Sequence, residues 1–185
     1  MRWQAWAVLT ALTSAVGVLA WCTWPSSLDT RAPLTPADVE QRMQHIGARG
    51  VVWELNRDGK WGQVINGIAS GRSDWLKIVL QLSQGTDAGW SEELRDNLGL
   101  ALPLNAPGVL GSLDPKNGVV SGVDSVCSMP FGYNAFQSLP ADFTERAIRT
   151  VEAVHTPALA RVRDRCLSVL HAGVCLVCPG GRLAR

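Results

Sequence analysis

From Ala5 to Trp24 the chain carries no charged side chain, and this run constrains what the protein can be more than anything after it. Its centre, residues 7–20 (AVLTALTSAVGVLA), is long enough for the apolar region of a signal peptide and, with its flanks, for a bilayer span. Trp3 and Trp6 stand at one end, Trp21 and Trp24 at the other. As a helix, residues 3–24 would extend roughly 32 Å, a hydrocarbon core with an aromatic belt at each face. Arg2 and the amino terminus are the only positive charges before the run, so the positive-inside rule keeps that end cytoplasmic and exports the remainder. The expectation is a single-pass inner-membrane anchor over 1–24 with a periplasmic domain. The alternative is a signal peptide cleaved near Ala20, because Val18-Leu19-Ala20 offers compact residues where a signal peptidase reads; the product would then be soluble in the periplasm. Leu19-Ala20-Trp21-Cys22 has the outline of a lipoprotein box, but Trp21 occupies the position that requires a small residue, which argues against a lipid on Cys22.

About 160 residues remain beyond this segment, enough to bury roughly 70% of the surface of the unfolded chain. The whole sequence has 17 Lys and Arg against 16 Asp and Glu, so no global field recruits nucleic acid or an acidic substrate. The balance is uneven along the chain: residues 25–144 hold 9 basic and 13 acidic side chains, residues 145–185 hold 7 and 3. Solvated arginines on terminal helices account for the basic end; contact with anionic lipid head groups or with an acidic partner is the alternative.

Residues 25–34 (PSSLDTRAPL) mix Pro, Ser and charge without periodicity and suit a linker. Residues 35–173 form the expected helical domain, and 174–185 a flexible tail. Thr35-Pro36-Ala37-Asp38 combines an N-cap, a proline at the first helical position and an acid in the first turn; Val39, Met43 and Ile46 follow at helical spacing, and Gly47 ends the run. Further helices are predicted over 50–55, over 61–69 with Trp61, Val64, Ile65 and Ile68 on one stripe, and over 74–82 after a Ser73 cap. Ser91-Glu92-Glu93 opens another, with Leu94, Leu98, Ala101 and Leu102 along a face until Pro103 stops it. Residues 103–140 are rich in Gly, Pro, Asn and Ser and hold one short candidate helix near Val109. Helices return over 141–154 and, after Thr156-Pro157, from Leu159 to about Leu170. No run sustains strand alternation, so the fold class is all-α, with short antiparallel helix pairs packed in sequence behind the N-terminal hydrophobic helix.

Residues about 50–113 carry a resemblance, in particular 61–70, Asp74-Trp75-Leu76, Gly85-Thr86-Asp87-Ala88 and Ala101-Leu102-Pro103-Leu104-Asn105. They are similar to a group of uncharacterised proteobacterial envelope proteins. Cys127 and Arg163-Asp164-Arg165-Cys166-Leu167 resemble the later cysteine positions of that group. The resemblance implies a helical, HEAT-like array in the cell envelope and brings no catalytic signature with it.

Five cysteines stand at 22, 127, 166, 175 and 178. With Cys22 in the leading segment, four are exported to an oxidising compartment where disulfides are the default, and four permit three pairings. Cys127 with Cys166 is favoured: the first begins a loop that needs tethering, and the second lies on the apolar stripe Leu159, Val162, Cys166, Val169. Cys175 and Cys178 form a CxxC, but without the βαβ setting of a thiol oxidoreductase. Cys166, His171, Cys175 and Cys178 together hold three thiols and an imidazole within 13 residues, the weak candidates for a tetrahedral zinc site, for which oxidation competes. His45 and His155 fall near helix C-termini, where the helix dipole explains them, and the acidic group Asp87, Glu92, Glu93, Asp96 lies near a helix start for the same reason. The sequence has no nucleophile elbow, phosphate loop, dinucleotide fingerprint or His-Glu-x-x-His, and no cofactor motif. The expected function is therefore binding of another envelope protein, with membrane contact through residues 3–24. A thiol or zinc function at the C-terminal cluster and an enzyme of unrecognised type are the alternatives.

Overall fold

A computed structural model describes residues 33–114, 116, 121–128 and 139–177, with side chains placed as far as Gly173. The leading segment 1–24, nearly all of the linker and Cys178 lie outside these residues. Among the described residues there are eight α-helices and no strand; a single isolated bridge joins Asp114 to Gly122. No described helix is long and apolar enough to cross a membrane.

The first helix, α1 (Pro36–Arg57), begins as its sequence dictates: the Thr35 hydroxyl accepts the Asp38 N–H at 3.2 Å, and the Asp38 carboxylate accepts the Thr35 N–H at 3.0 Å. This reciprocal capping box satisfies two of the backbone donors that a helix start leaves open. Gly47 does not end the structure but bends it, with φ 73° and ψ 163°, so the helices expected on either side become two limbs of α1. The bend is large. In a straight helix residues 42 and 54 would stand about 18 Å apart, yet Arg42 Nε donates to Glu54 Oε2 at 2.8 Å. The inner faces of the limbs contribute Val39 and Met43, then Val51, Val52 and Leu55, to the core.

Gly85 packs against this elbow. A β-carbon there would lie 2.3 Å from the carbonyl carbon of Ala48 and 2.5 Å from the Arg49 nitrogen, so two backbones touch where only glycine fits. Gly85→Ala is expected to lower the free energy of unfolding by about 2 kcal/mol, the scale of overpacking against an element that cannot yield. Gly62→Ala, placed where an added methyl meets open space, should change it by less than about 1 kcal/mol and in the stabilising direction. Chemical denaturation of the two variants checks both, and equal losses would show that the elbow gives way.

Helix α2 (Trp61–Ala69) buries the predicted stripe of Trp61, Val64, Ile65 and Ile68. The region 74–82 divides into α3 (Ser73–Leu76) and α4 (Val79–Ser83). Arg72, in extended conformation, takes the cap position expected for Ser73, whose hydroxyl instead accepts Asn105 Nδ2 at 3.1 Å. Helix α5 (Ala88–Ser112) continues past Pro103, the expected stop, and bends at Asn105 (φ −153°, ψ 67°). Asn105 caps the second limb: its Oδ1 accepts the Gly108 N–H at 3.0 Å, and its Nδ2 donates to the Gly71 carbonyl at 2.7 Å. The short helix predicted near Val109 is this second limb. Helix α6 (Val123–Cys127) lies in a stretch whose weak periodicity gives no sign of it. Helices α7 (Phe143–Glu152) and α8 (Ala160–Val177), with a 3-10 turn at Pro157–Leu159 between them, complete the fold.

Helix α5 is the centre of the packing and touches α2, α3, α4, α6 and α7. Its Leu94, Leu98, Leu102 and Leu110 are fully buried and share one continuous core with Leu55, Ile68, Leu76 and Leu82. Four arginines of the basic C-terminal region have carboxylate partners: Arg146 pairs with Asp142, Arg149 with Glu145, Arg163 with Asp164 and Arg165 with Asp124.

Candidate functional site

The C-terminal cluster is the first place to look for chemistry, and its geometry removes one ligand. Cys127, the last residue of α6, is bonded to Cys166 on α8, with sulfurs 2.07 Å and α-carbons 5.3 Å apart. Both cysteines are buried, so the pairing favoured from the sequence is the one found. On the outside of the same contact, Arg165 donates through Nε and Nη2 to the two carboxylate oxygens of Asp124, each at 2.7 Å. That hydrogen bond raises the Arg165 guanidinium above its ordinary value, and the fork geometry holds α6 and α8 in register.

A sulfur held in a disulfide offers no thiolate to zinc. His171 is exposed, whereas Cys166 is fully buried; five residues along a helix, the two point about 140° apart. Cys175 lies within α8 with no described side chain, and Cys178 lies outside the described residues. Among the described residues no three His, Cys, Asp or Glu side chains are grouped to hold a metal. Two members of the acidic group have structural partners, Glu93 accepting the Trp61 indole N–H at 2.7 Å and Asp96 pairing with Arg95; the helix starts earlier than expected, at Ala88, so its first turn holds no acid for the dipole to stabilise. His45 and His155 are both exposed.

What the sequence did not single out is a pair of exposed apolar features. On the second limb of α1, Trp53 is 56% exposed while its neighbour Glu54 is 4% exposed, inverting the usual preference of these residues. The Arg57 guanidinium lies 4.8 Å from the centre of the Trp53 ring, a cation–π stack, and Arg57 Nε also donates to Asp58 at 2.7 Å. This hydrogen bond raises the Arg57 guanidinium and holds the Asp58 carboxyl below its ordinary range, so both stay charged. Arg49, one turn before Trp53, is exposed, and Ile46, 41% exposed, lies over Gly50. Residues 49, 53 and 57 share one outer stripe by their spacing of four.

The second feature is Leu104, 61% exposed at the bend of α5. It sits beside the Gly71 turn, where a β-carbon on Gly71 would approach its Cβ to 3.0 Å. The three hydrogen bonds of Asn105 fix the backbone on which Leu104 stands, and Arg72 and Asp74 form an exposed ion pair at 2.5 Å next to that turn. The only signal for either feature in the sequence is an apolar residue out of phase with its helix: Trp53 beside Glu54, and Leu104 between Pro103 and Asn105.

No protein-family model, curated protein or solved structure matches this chain.

Proposed function

We propose that this chain is an inner-membrane-anchored protein whose periplasmic helical domain acts by holding a protein partner at the Leu104 corner, without catalytic chemistry of its own. The supporting observation is the exposed Leu104 on a backbone that Asn105 pins to the Gly71 turn. An apolar side chain presented on a fixed corner needs no ordering when a partner closes over it, so more of its burial is retained as affinity. The buried Cys127–Cys166 disulfide supports an oxidising compartment. The reading keeps the similarity to proteobacterial envelope proteins and the sequential pairing of antiparallel helices in a HEAT-like manner. Contacts of α7 with α8 support that pairing at the C-terminal end, whereas the central α5 packs mainly against α7 and α2, out of chain order.

Photocrosslinking in living cells tests it. With p-benzoylphenylalanine at position 104, one discrete heavier species is expected on irradiation, and none with the same group at position 44, an exposed site on α1. Equal capture from both positions, or none from 104, would remove the Leu104 corner as a binding site.

A further inference from the structure

We propose that the outer stripe of the second limb of α1, with Trp53 between Arg49 and Arg57, rests in the head-group region of the same bilayer that holds the leading segment. The inference rests on the anchoring part of the proposed function and adds which face of the domain meets the lipid.

Three observations carry it. The first is where the chain leaves the domain. The Leu34 N–H donates to Gln63 Oε1 at 3.3 Å, so the exit toward the leading segment lies at the start of α2. Arg57 reaches that same place through a tight turn, closed by Gly59 N–H to the Asn56 carbonyl at 3.1 Å and Lys60 N–H to the Leu55 carbonyl at 2.7 Å. The linker 25–34 leaves the domain at that end, so the end that carries Arg57 is the one joined to the leading segment.

The second is the chemistry of the stripe. An indole has an apolar body and one N–H donor, which places tryptophan at the boundary between acyl chains and head groups. The guanidinium of Arg57, stacked on that ring, and that of Arg49, one turn away, suit phosphate oxygens. Asp58 offsets the charge of Arg57, and among the described residues no salt bridge joins Arg49 to a carboxylate. Long-range attraction to anionic lipid therefore comes mainly from a single charge, and seating of the indole dominates. Contact with the bilayer should accordingly depend only weakly on salt.

The third is the opposite face. Val51, Val52 and Leu55 lock the limb to the core, so the stripe is presented by a fixed helix. The Leu104 corner lies past the far end of α2, since Gly71 follows Ala69, itself about 9 Å of helix beyond Gln63. Leu104 stands on α5 and not on this stripe, so it is the comparison position for the contact.

The test uses the full chain reconstituted into vesicles of phosphatidylethanolamine and phosphatidylglycerol, with p-benzoylphenylalanine at position 53, at position 49 or at position 104. An adduct of phospholipid mass is expected from 53 and 49, persisting at raised salt, and none from 104; thermal unfolding matched to the unlabelled chain shows that each variant is folded. Loss of the adducts from 53 and 49 while the chain still floats with the vesicles overturns the docking and leaves the anchor standing. A covalent dimer from 53 in place of a lipid adduct assigns the stripe to a second copy and also overturns it. A chain that does not float with the vesicles overturns the anchor and the docking together.

Discussion

Replacing either cysteine of the Cys127–Cys166 bond by alanine is expected to lower the stability of the oxidised protein by about 4 kcal/mol, the chain-entropy value for a loop of this length. The sequence separation is 39 residues, and the loop holds α7, which packs against α5, so opening it restores freedom to a large part of the unfolded chain. For a domain of this size the loss corresponds to a melting temperature lower by about 10 °C. The double variant should cost little beyond either single change, because both remove one bond. Urea titration of the three variants measures this, and a loss below about 1 kcal/mol would mean that the denatured chain is already restricted without the bond. Arg165 and Asp124 brace the same pair of helices but are exposed, and an exposed ion pair contributes too little to replace the covalent link.

The second large effect is expected at the elbow of α1. Arg42→Ala removes the guanidinium that holds Glu54 at 2.8 Å across the bend, and the Glu54 side chain is only 5% exposed. Breaking a buried pair from one side costs about 3 kcal/mol, because the remaining charge has been taken out of water. Glu54→Ala should cost less, since the Arg42 side chain is 18% exposed and can turn its head group toward solvent. Joint replacement by Met at 42 and Leu at 54 should recover a large share of the loss, as apolar side chains of similar volume often do in place of a buried pair. Denaturation of the single and joint variants decides the matter; additive losses would show that the two side chains act separately.

Where the sequence was legible, a local rule and the tertiary demand agreed. Thr35-Pro36-Ala37-Asp38 is a cap whatever packs nearby, and the stripe of Trp61, Val64, Ile65 and Ile68 has one plausible inner side. Pro103 misled because the rule that proline stops a helix does not say whether the next residues start another. Asn105, two residues on, turns the chain and caps a new limb with Pro107 in its first turn, so a stop became a bend. Helix α6 escaped notice because five residues carry little periodicity; the disulfide and α8 hold it in place. The Arg42–Glu54 pair could not be read at all. Twelve residues is a meaningless interval on a straight helix and acquires meaning only once Gly47 has bent it. The cysteine pairing was legible because helical phase turned Cys166 inward, whereas Trp53 and Leu104 were legible only as exceptions to phase.

The bond between α6 and α8 also has a consequence for how the protein ages. A protease that cuts the chain once, anywhere between Ser128 and Arg165, leaves two fragments still joined through sulfur. On a denaturing gel such a nicked molecule would run as intact until reduced. In the cell it would keep α8 beside α6 after damage that would free the C-terminal helices of an uncrosslinked domain, so its breakdown would await a second cut or a reductant.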